Sequence, residues 1–477
     1  MKLVPSPIKV ETDGGFTSDL LGREPFAEGL TNLFLSLEGP AVVVLDGDWG
    51  TGKSTFVDMW RSKLTRNGIA HIYFNAFDND YLEDAFVALA GEFASRESAT
   101  LTKRQKFIKS AARAGAVVIK AGVRASIKAA TIGVIDTAEV GDAVSEAVKD
   151  VGSGAADAAE RAIEKRISGR DSERKVMTQF KESLEAYARQ LSAEVATSAK
   201  LTRGTSLVFI IDELDRCRPD FALSLLEGTK HLFSVESVVF LLVANFRQLE
   251  ECVRAKYGSG NYARQYLEKF IQLRLTLPAA SERVGPRGIH ALVSRLFQGM
   301  PTDSGQPGKT GRLHELVERQ LLLLSARMSL SLRKLERIAT HVAIFYASTQ
   351  DGQSRIAPLI VDLVLLKLDY PEIYARAQIG RLTVRELERA LPYSEWLKDE
   401  EAKRGNYKSD ELHELMWAAN HWRYVLGEEL LGGEDRDAFA RNSRSRFFEP
   451  MDVVTFTCTS IDGLHFPVLE KQEVPTS

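Results

Sequence analysis

Five short apolar runs punctuate the chain, at 41–45, 70–77, 207–211, 238–245 and 271–278. Each is rich in β-branched or aromatic residues, and such runs suit strands of a parallel sheet covered on both faces. Between them the spacing of apolar positions changes to three and four. Met177, Phe180, Leu184, Tyr187 and Leu191 mark an amphipathic helix ahead of the third run, and 321–346 reads as helices beyond the fifth. Tyr262, Tyr266 and Phe270 form a helical stripe expected to face a core. Trp396, Trp417 and Trp422 also sit in helical patterns, whereas "VVTFTCTSI" (453–461) alternates Val454, Phe456 and Cys458 against threonines and predicts a strand. The pattern as a whole is α/β, with helical parts inserted and appended.

Composition narrows this picture. The 477 residues are 44% hydrophobic and 27% charged with a formal net charge of -3, enough apolar material for two or three packed units and no overall basic field for nucleic acid. Local basic clusters near Arg61, at Lys103-Arg104-Lys106 and at Arg441–Arg446 are short enough to be solvated faces. Cys217, Cys252 and Cys458 are widely spaced, which suggests neither a disulfide framework nor a zinc site and fits a reducing cytoplasm. The first residues lack an apolar leader, and no charge-free stretch approaches the ~20 residues of a bilayer span, so a soluble cytoplasmic protein is expected. His413 and His421 lack partner ligands in sequence and read as structural.

Candidate chemistry begins in "VVVLDGDWGTGKSTF", where Gly47 to Ser54 match G-x-x-x-x-G-K-[ST] between a strand and a helix. Consecutive backbone N–H groups of a glycine-rich turn at a helix N-terminus can wrap a polyphosphate. Gly47, Asp48, Trp49, Gly50, Thr51, Gly52, Lys53, Ser54 and Thr55 are therefore expected to bind nucleotide. Lys53 would reach the β- and γ-phosphates and Ser54 would ligate magnesium. The alternative is an ordinary strand-turn-helix. A second motif, "SLVFIIDELDRCRPD" (206–220), ends an apolar strand in two carboxylates: Asp212 to hold Mg2+ and Glu213 to polarise water as general base. Its alternative is a solvated acidic loop. No guanine-reading motif is visible, so ATP is favoured.

A run that lies in sequence between the phosphate-binding and acidic strands, with a Glu beside the magnesium Asp, resembles the additional-strand, catalytic-glutamate division of P-loop ATPases, a three-layer αβα core. "DLLGREPFAEGLTNLF", "GDWGTGKST", "YFNAFDND", "IIDELDRCRPDFALSLLEGTKHLF" and "YLEKFIQLRLTLP" follow the order of the KAP family of P-loop NTPases, which the chain resembles over roughly 15–345. The resemblance implies Mg-ATP hydrolysis driving conformational switching and assembly; bacterial members are associated with plasmid, phage-exclusion and defence loci. Phe77 stands where the family commonly has Trp, and Asn245 where it commonly has Asp. An Asn at that strand end is what broader AAA-type ATPases use to sense the γ-phosphate or position water, so the resemblance implies a sensor role for Asn245. In oligomeric ATPases of this division a basic residue before the fifth strand often reaches the neighbour's γ-phosphate; Arg264 is the candidate, with Lys269 second and a surface pair with Glu268 as the bland reading. Arg333 falls in the family's second-sensor region and is expected to touch nucleotide from a lid, ahead of Arg337.

Many members carry a transmembrane pair between the two motifs. This chain instead has Ala-rich sequence interrupted by Arg113, Lys120, Arg124 and Lys128, a basic helical face that a membrane surface could take, with packing on protein preferred. The expected organisation is an approach segment (1–37), a P-loop core in two parts (38–96 and 201–280), a helical insertion (97–200), a helical lid (281–350) and a C-terminal domain of unknown role (351–477). The expected partners are further copies of the chain and an unidentified effector protein. A nucleic-acid-dependent motor and a membrane-surface scaffold under nucleotide control are the alternatives.

Overall fold

The computed structural model describes residues 15–37, 39–82, 84–96, 102–115, 155–198, 206–228, 235–258, 262–278, 285–297, 310–349, 355–402, 410–433, 439 and 450–462. Lys120, Arg124 and Lys128 lie outside these residues. Strands β1 (Ala41–Asp46), β2 (His71–Asn75), β3 (Leu207–Asp212), β4 (Val238–Ala244) and β5 (Leu273–Thr276) make one parallel sheet in the order β2-β3-β4-β1-β5. β3 and β4 are buried along their whole length, as their unbroken apolar runs predict. β2 precedes β3 in the chain yet lies at the sheet edge; the strand inserted between β1 and β3 is β4. Register places Asn75 opposite Asp212 and Asp46 opposite Ala244, so the polar residues that end the strands share one edge of the sheet.

Each face of the sheet has its own core. On one, Phe93 stacks on Phe209 at 4.4 Å between ring centroids, and Phe107 on Tyr187 at 5.4 Å. Phe107 comes from the helix at 102–115 and Tyr187 from Ala155–Ser198, so the described parts of the insertion bury their apolar stripe against the core. On the other face, Phe34 of the helix Glu24–Ser36 packs edge-on to Trp60, whose indole N–H donates to Thr31 Oγ1 at 2.9 Å. The approach segment is thereby built into the core. A third core joins helices from Gly285–Phe297 through Pro450–Asp462, with no break in packing between lid and C-terminal segments.

Two expectations fail here. Residues 453–461 are helical, within Pro450–Asp462, because the buried set Val453, Val454, Thr457, Cys458 and Ile461 repeats at three to four, not two. The threonine hydroxyls turn back to carbonyls of the helix itself, Thr457 to Val453 O at 2.7 Å and Thr459 to Thr455 O at 2.8 Å, so β-branched propensity yields to tertiary packing. The tyrosine stripe fails at its first member only: the helix Ala263–Leu267 is five residues, Tyr262 is 74% exposed, while Tyr266 packs against the core and Phe270 is buried. The lid pattern divides into Thr310–Met328 and Leu332–Ser348 at Ser329 (φ 49°), where Ser331 caps the second helix by accepting from Lys334 N. Among the described residues no helix is long and apolar enough to cross a membrane.

Candidate functional site

The carboxyl edge of the sheet opens into a cleft of about 240 Å³ whose lining comes from the approach segment, the 47–55 loop, the β3 turn and the lid. Gly50 and Gly52 have φ of 80° and 83°, which an L side chain rarely adopts, and space is as tight as the backbone. A Cβ on Gly50 would stand 2.6 Å from Arg333 Cβ, and one on Gly52 3.3 Å from Arg23 Nη1. The loop then enters the helix Lys53–Arg66, whose first N–H groups have no acceptor within the helix.

Within the loop, Thr51 Oγ1 donates to Asp48 O at 2.8 Å, and Lys53 Nζ curls back to Gly47 O at 2.5 Å and Asp48 O at 3.2 Å. Lys53 is buried, which lowers its pKa; Asp215, Asp212 and Asp46 work against that shift. Trp49 is half exposed and its indole N–H donates to Asp215 Oδ2 at 2.5 Å, tying the loop to the turn after β3. Ser54 and Thr55 line the cleft.

Asp212 is 1% exposed, and burial pushes its carboxyl up to about 6. Hydrogen bonds from Ser54, from Glu213 N (2.8 Å) and from Tyr73 Oη (3.1 Å) pull the other way. A hydroxyl and a buried carboxylate in direct contact beside a cluster of backbone donors form the oxygen set that a hydrated magnesium ion uses. The residues thus fit both a polyphosphate and Mg2+. Glu213 follows with φ 59°, a left-handed conformation in a non-glycine residue. Arg216 Nη1 lies 2.5 Å from its Oε1 and Asn75 Nδ2 3.4 Å from its Oε2.

Asn245 accepts from Arg247 N at 3.1 Å as the cap of helix Phe246–Tyr257, and its Nδ2 faces Asp48 Oδ1 at 3.4 Å. It therefore stands next to the loop. Beneath it, Asp46 accepts from Phe246 N at 2.8 Å and pairs with Arg274 of β5 at 2.6 Å, which fixes the root of the loop to β5 and to the helix that follows β4. Arg333 is exposed on the lid helix, lines the cleft, and donates its backbone N–H to Gly50 O at 3.3 Å. Arg264 is elsewhere: it is 66% exposed, 3.6 Å from Glu268, and does not line the cleft of this chain. Lys269 lies 5.1 Å from the Tyr266 ring centroid.

Several residues here carry no role in the sequence reading. Arg23 is 3% exposed, donates to Thr51 O at 2.9 Å, and has its pKa lowered to about 10 by burial. Asn75 is oriented by accepting from Phe77 N and Asp78 N, which leaves its amide N–H for Glu213. Arg216 and Glu336 also line the cleft. Arg23, Asn75 and Arg216 all fall inside the quoted family phrases, so the signal existed as position without chemistry.

No curated protein matches the chain. A solved structure described as the Aeropyrum pernix ORC2 protein in ADPNP and ADP complexes is 13% identical, with 92% of this chain and 93% of that chain covered at a TM-score of 0.31, a likeness too loose to bear on the site. The KAP family P-loop domain matches residues 23–349, well over half of the chain. That span takes in the glycine loop, the β3 carboxylates, Asn245 and Arg333, and the chain belongs to the KAP family of P-loop NTPases, proteins built to bind and hydrolyse nucleoside triphosphates.

Proposed function

We propose that the protein is a Mg2+-dependent ATPase whose hydrolysis cycle moves the lid and controls assembly of the chain with copies of itself and with an effector protein, in bacterial phage defence or exclusion. The observation that carries the reading is the joint between lid and loop: Arg333 N bonds to Gly50 O, and Gly50 leaves no room even for a Cβ beside Arg333. A loop that adjusts to phosphate must therefore disturb the lid, and the lid is one body with the C-terminal helices.

Bound magnesium would supply charge neutralisation at the transferred phosphoryl group. Ser54 and Asp212 would hold it. Lys53 binds phosphate oxygens once it leaves the Gly47 and Asp48 carbonyls, Glu213 takes a proton from the attacking water, and Asn245 orients that water from beside Asp48. Arg264 is assigned to the site of an adjoining copy, since its own cleft is out of contact.

The test is ATP turnover by the purified protein, alone and with DNA, RNA or anionic vesicles, alongside mass measurement with ATP and ADP. Nucleotide-dependent change in mass with turnover indifferent to the three additives is the expected result. Strong activation by DNA or RNA would replace the reading with a nucleic-acid motor, and activation by vesicles with a membrane scaffold.

A further inference from the structure

Both oxygens of the Glu213 carboxylate are occupied by donors: Oε1 by Arg216 at 2.5 Å and Oε2 by Asn75 at 3.4 Å. The guanidinium pins Oε1 and the Asn75 amide orients Oε2, so the carboxylate is held in one position rather than left to turn toward a water. The pairing is local, spanning the short 3-10 turn Leu214–Arg216, and neither side chain is deeply buried, with 31% of Arg216 and 16% of Glu213 exposed. An ion pair in that setting is weak enough to exchange.

Arg216 also faces the other way. It lines the same cleft as Lys53, Ser54 and Asp212, and it is close enough to Lys53 for the like charges to disfavour the ammonium form. A guanidinium prefers two parallel bonds to a phosphate, a denser acceptor than one carboxylate oxygen. The backbone around it need not move. Arg216 N donates to Glu213 O at 3.1 Å, and Trp49 holds Asp215, so rotation of one side chain separates the two arrangements.

We propose that Arg216 is a positioning residue that withholds Glu213 and releases it when a terminal phosphate at the Lys53 end of the cleft draws the guanidinium away. The site then commits its general base only to a triphosphate. Arg216 transfers no proton. The proposal rests on the reading of Glu213 as general base.

The test uses the full chain with magnesium and the fluorescent analogues of ATP and ADP, and measures both affinities together with kcat and KM for Arg216→Gln and Arg216→Lys, each with and without Glu213→Gln. Arg216→Gln should lose about 10-fold or more in triphosphate affinity while diphosphate affinity stays within about twofold. Arg216→Lys should regain most of the triphosphate affinity as a point charge, and kcat at saturating triphosphate should stay within about twofold in both variants, since Glu213 is then free of the guanidinium. Glu213→Gln alone should bind triphosphate about threefold tighter relative to diphosphate, because its neutral amide no longer competes for the guanidinium, and Arg216→Gln should erase that gain. Equal losses for both nucleotides in Arg216→Gln, or an unchanged affinity ratio in Glu213→Gln, overturns the proposal. Unaltered turnover in Glu213→Gln would instead remove the general-base reading, which the affinity ratios do not depend on.

Discussion

Two buried aspartates show what separates the cleft from the rest of the molecule. Asp362, in the helix Ala357–Asp369, is fully buried and accepts from Gln320 Nε2 at 2.7 Å, Tyr393 Oη at 2.7 Å and Trp422 Nε1 at 2.6 Å. Asp212 is also buried, and burial pushes both carboxyls up to about 6. The surroundings differ. Each donor to Asp362 comes from a different helix and is neutral, so the network is closed and pins four helices together. Asp212 faces a cleft with Lys53 and Glu213 beside it, and one of its donors, Ser54, is a phosphate-loop residue. The same cost of burial supports rigidity in one place and leaves a demand for a cation in the other.

The comparison breaks most visibly in catalysis. Glu213→Gln should slow ATP turnover by at least ~10²-fold while nucleotide and magnesium still bind, as expected for a general base. Lys53→Ala should weaken nucleotide binding itself. Steady-state turnover and a nucleotide titration separate the two; wild-type affinity in the Lys53 variant would detach the loop from phosphate.

Asp362→Ala should do the opposite, sparing the chemistry and harming the fold. It leaves Tyr393 Oη and Trp422 Nε1 without their acceptor, while Gln320 Nε2 keeps Tyr393 Oη, and with each orphaned donor worth on the order of 1 kcal/mol stability should fall by about 2 kcal/mol. Denaturant unfolding of the C-terminal tryptophans reads this, since Trp422 loses its own partner. Asp212→Ala should leave stability nearly unchanged, because Asp212 and its donor Ser54 line the cleft, where water can take the place of the carboxylate. Equal destabilisation by both substitutions would erase the distinction between closed and open networks.

Acidity sharpens the point. Both carboxyls lie above their ordinary value because burial disfavours the charged form, so each binds its proton more tightly in the folded chain than in the unfolded one. Their contribution to stability is therefore complete below about pH 4 and is lost as the pH rises through about 6. For Asp362 the change is at most about 3 kcal/mol, and it should show as a wild-type advantage over Asp362→Asn that shrinks between pH 4 and 6. For Asp212 the same titration should become proton release when magnesium and ATP are added below pH 6. Calorimetry in buffers of different ionisation enthalpy measures it, and release that persists in Asp212→Ala would assign the proton elsewhere.

How much of this was legible in the sequence divides along similar lines. Strand positions, the glycine loop, Asp212 and Glu213 are local patterns, visible because continuous apolar runs and short motif spacings need no tertiary context. The sheet order is not local: nothing in the chain between β1 and β3 says that β4 slots between them. Asn75, Arg216 and Arg23 stood in recognisable phrases, but a charged or amide side chain acquires a role only from what faces it. The terminal helix was misread because Val454, Phe456 and Cys458 alternate by chance, while the packing that decides the period comes from residues such as Tyr374, whose hydroxyl donates to Cys458 O at 3.2 Å.

The smallest expected effect concerns what an open site leaves for another copy. The closed Asp362 network has no free face, whereas the cleft has one that carries the loop, the lid and a half-exposed Trp49. Charge building on a γ-phosphate calls for cations beyond Lys53 and magnesium, and Arg264 is solvent-facing with Glu268 at 3.6 Å, an i,i+4 pair worth about a few tenths of a kcal/mol. If Arg264 serves an adjoining copy, Arg264→Ala and Glu213→Gln fail at different members of one interface. Mixing the two should then regain a fraction of turnover that neither shows alone, about a quarter of wild type at equal mixing when copies pair at random and each interface acts independently. Titrating one variant into the other at fixed total protein gives the curve. A flat response, with a monomeric mass in ATP, would confine Arg264 to the surface and leave Arg216 as the candidate for a cation beyond Lys53.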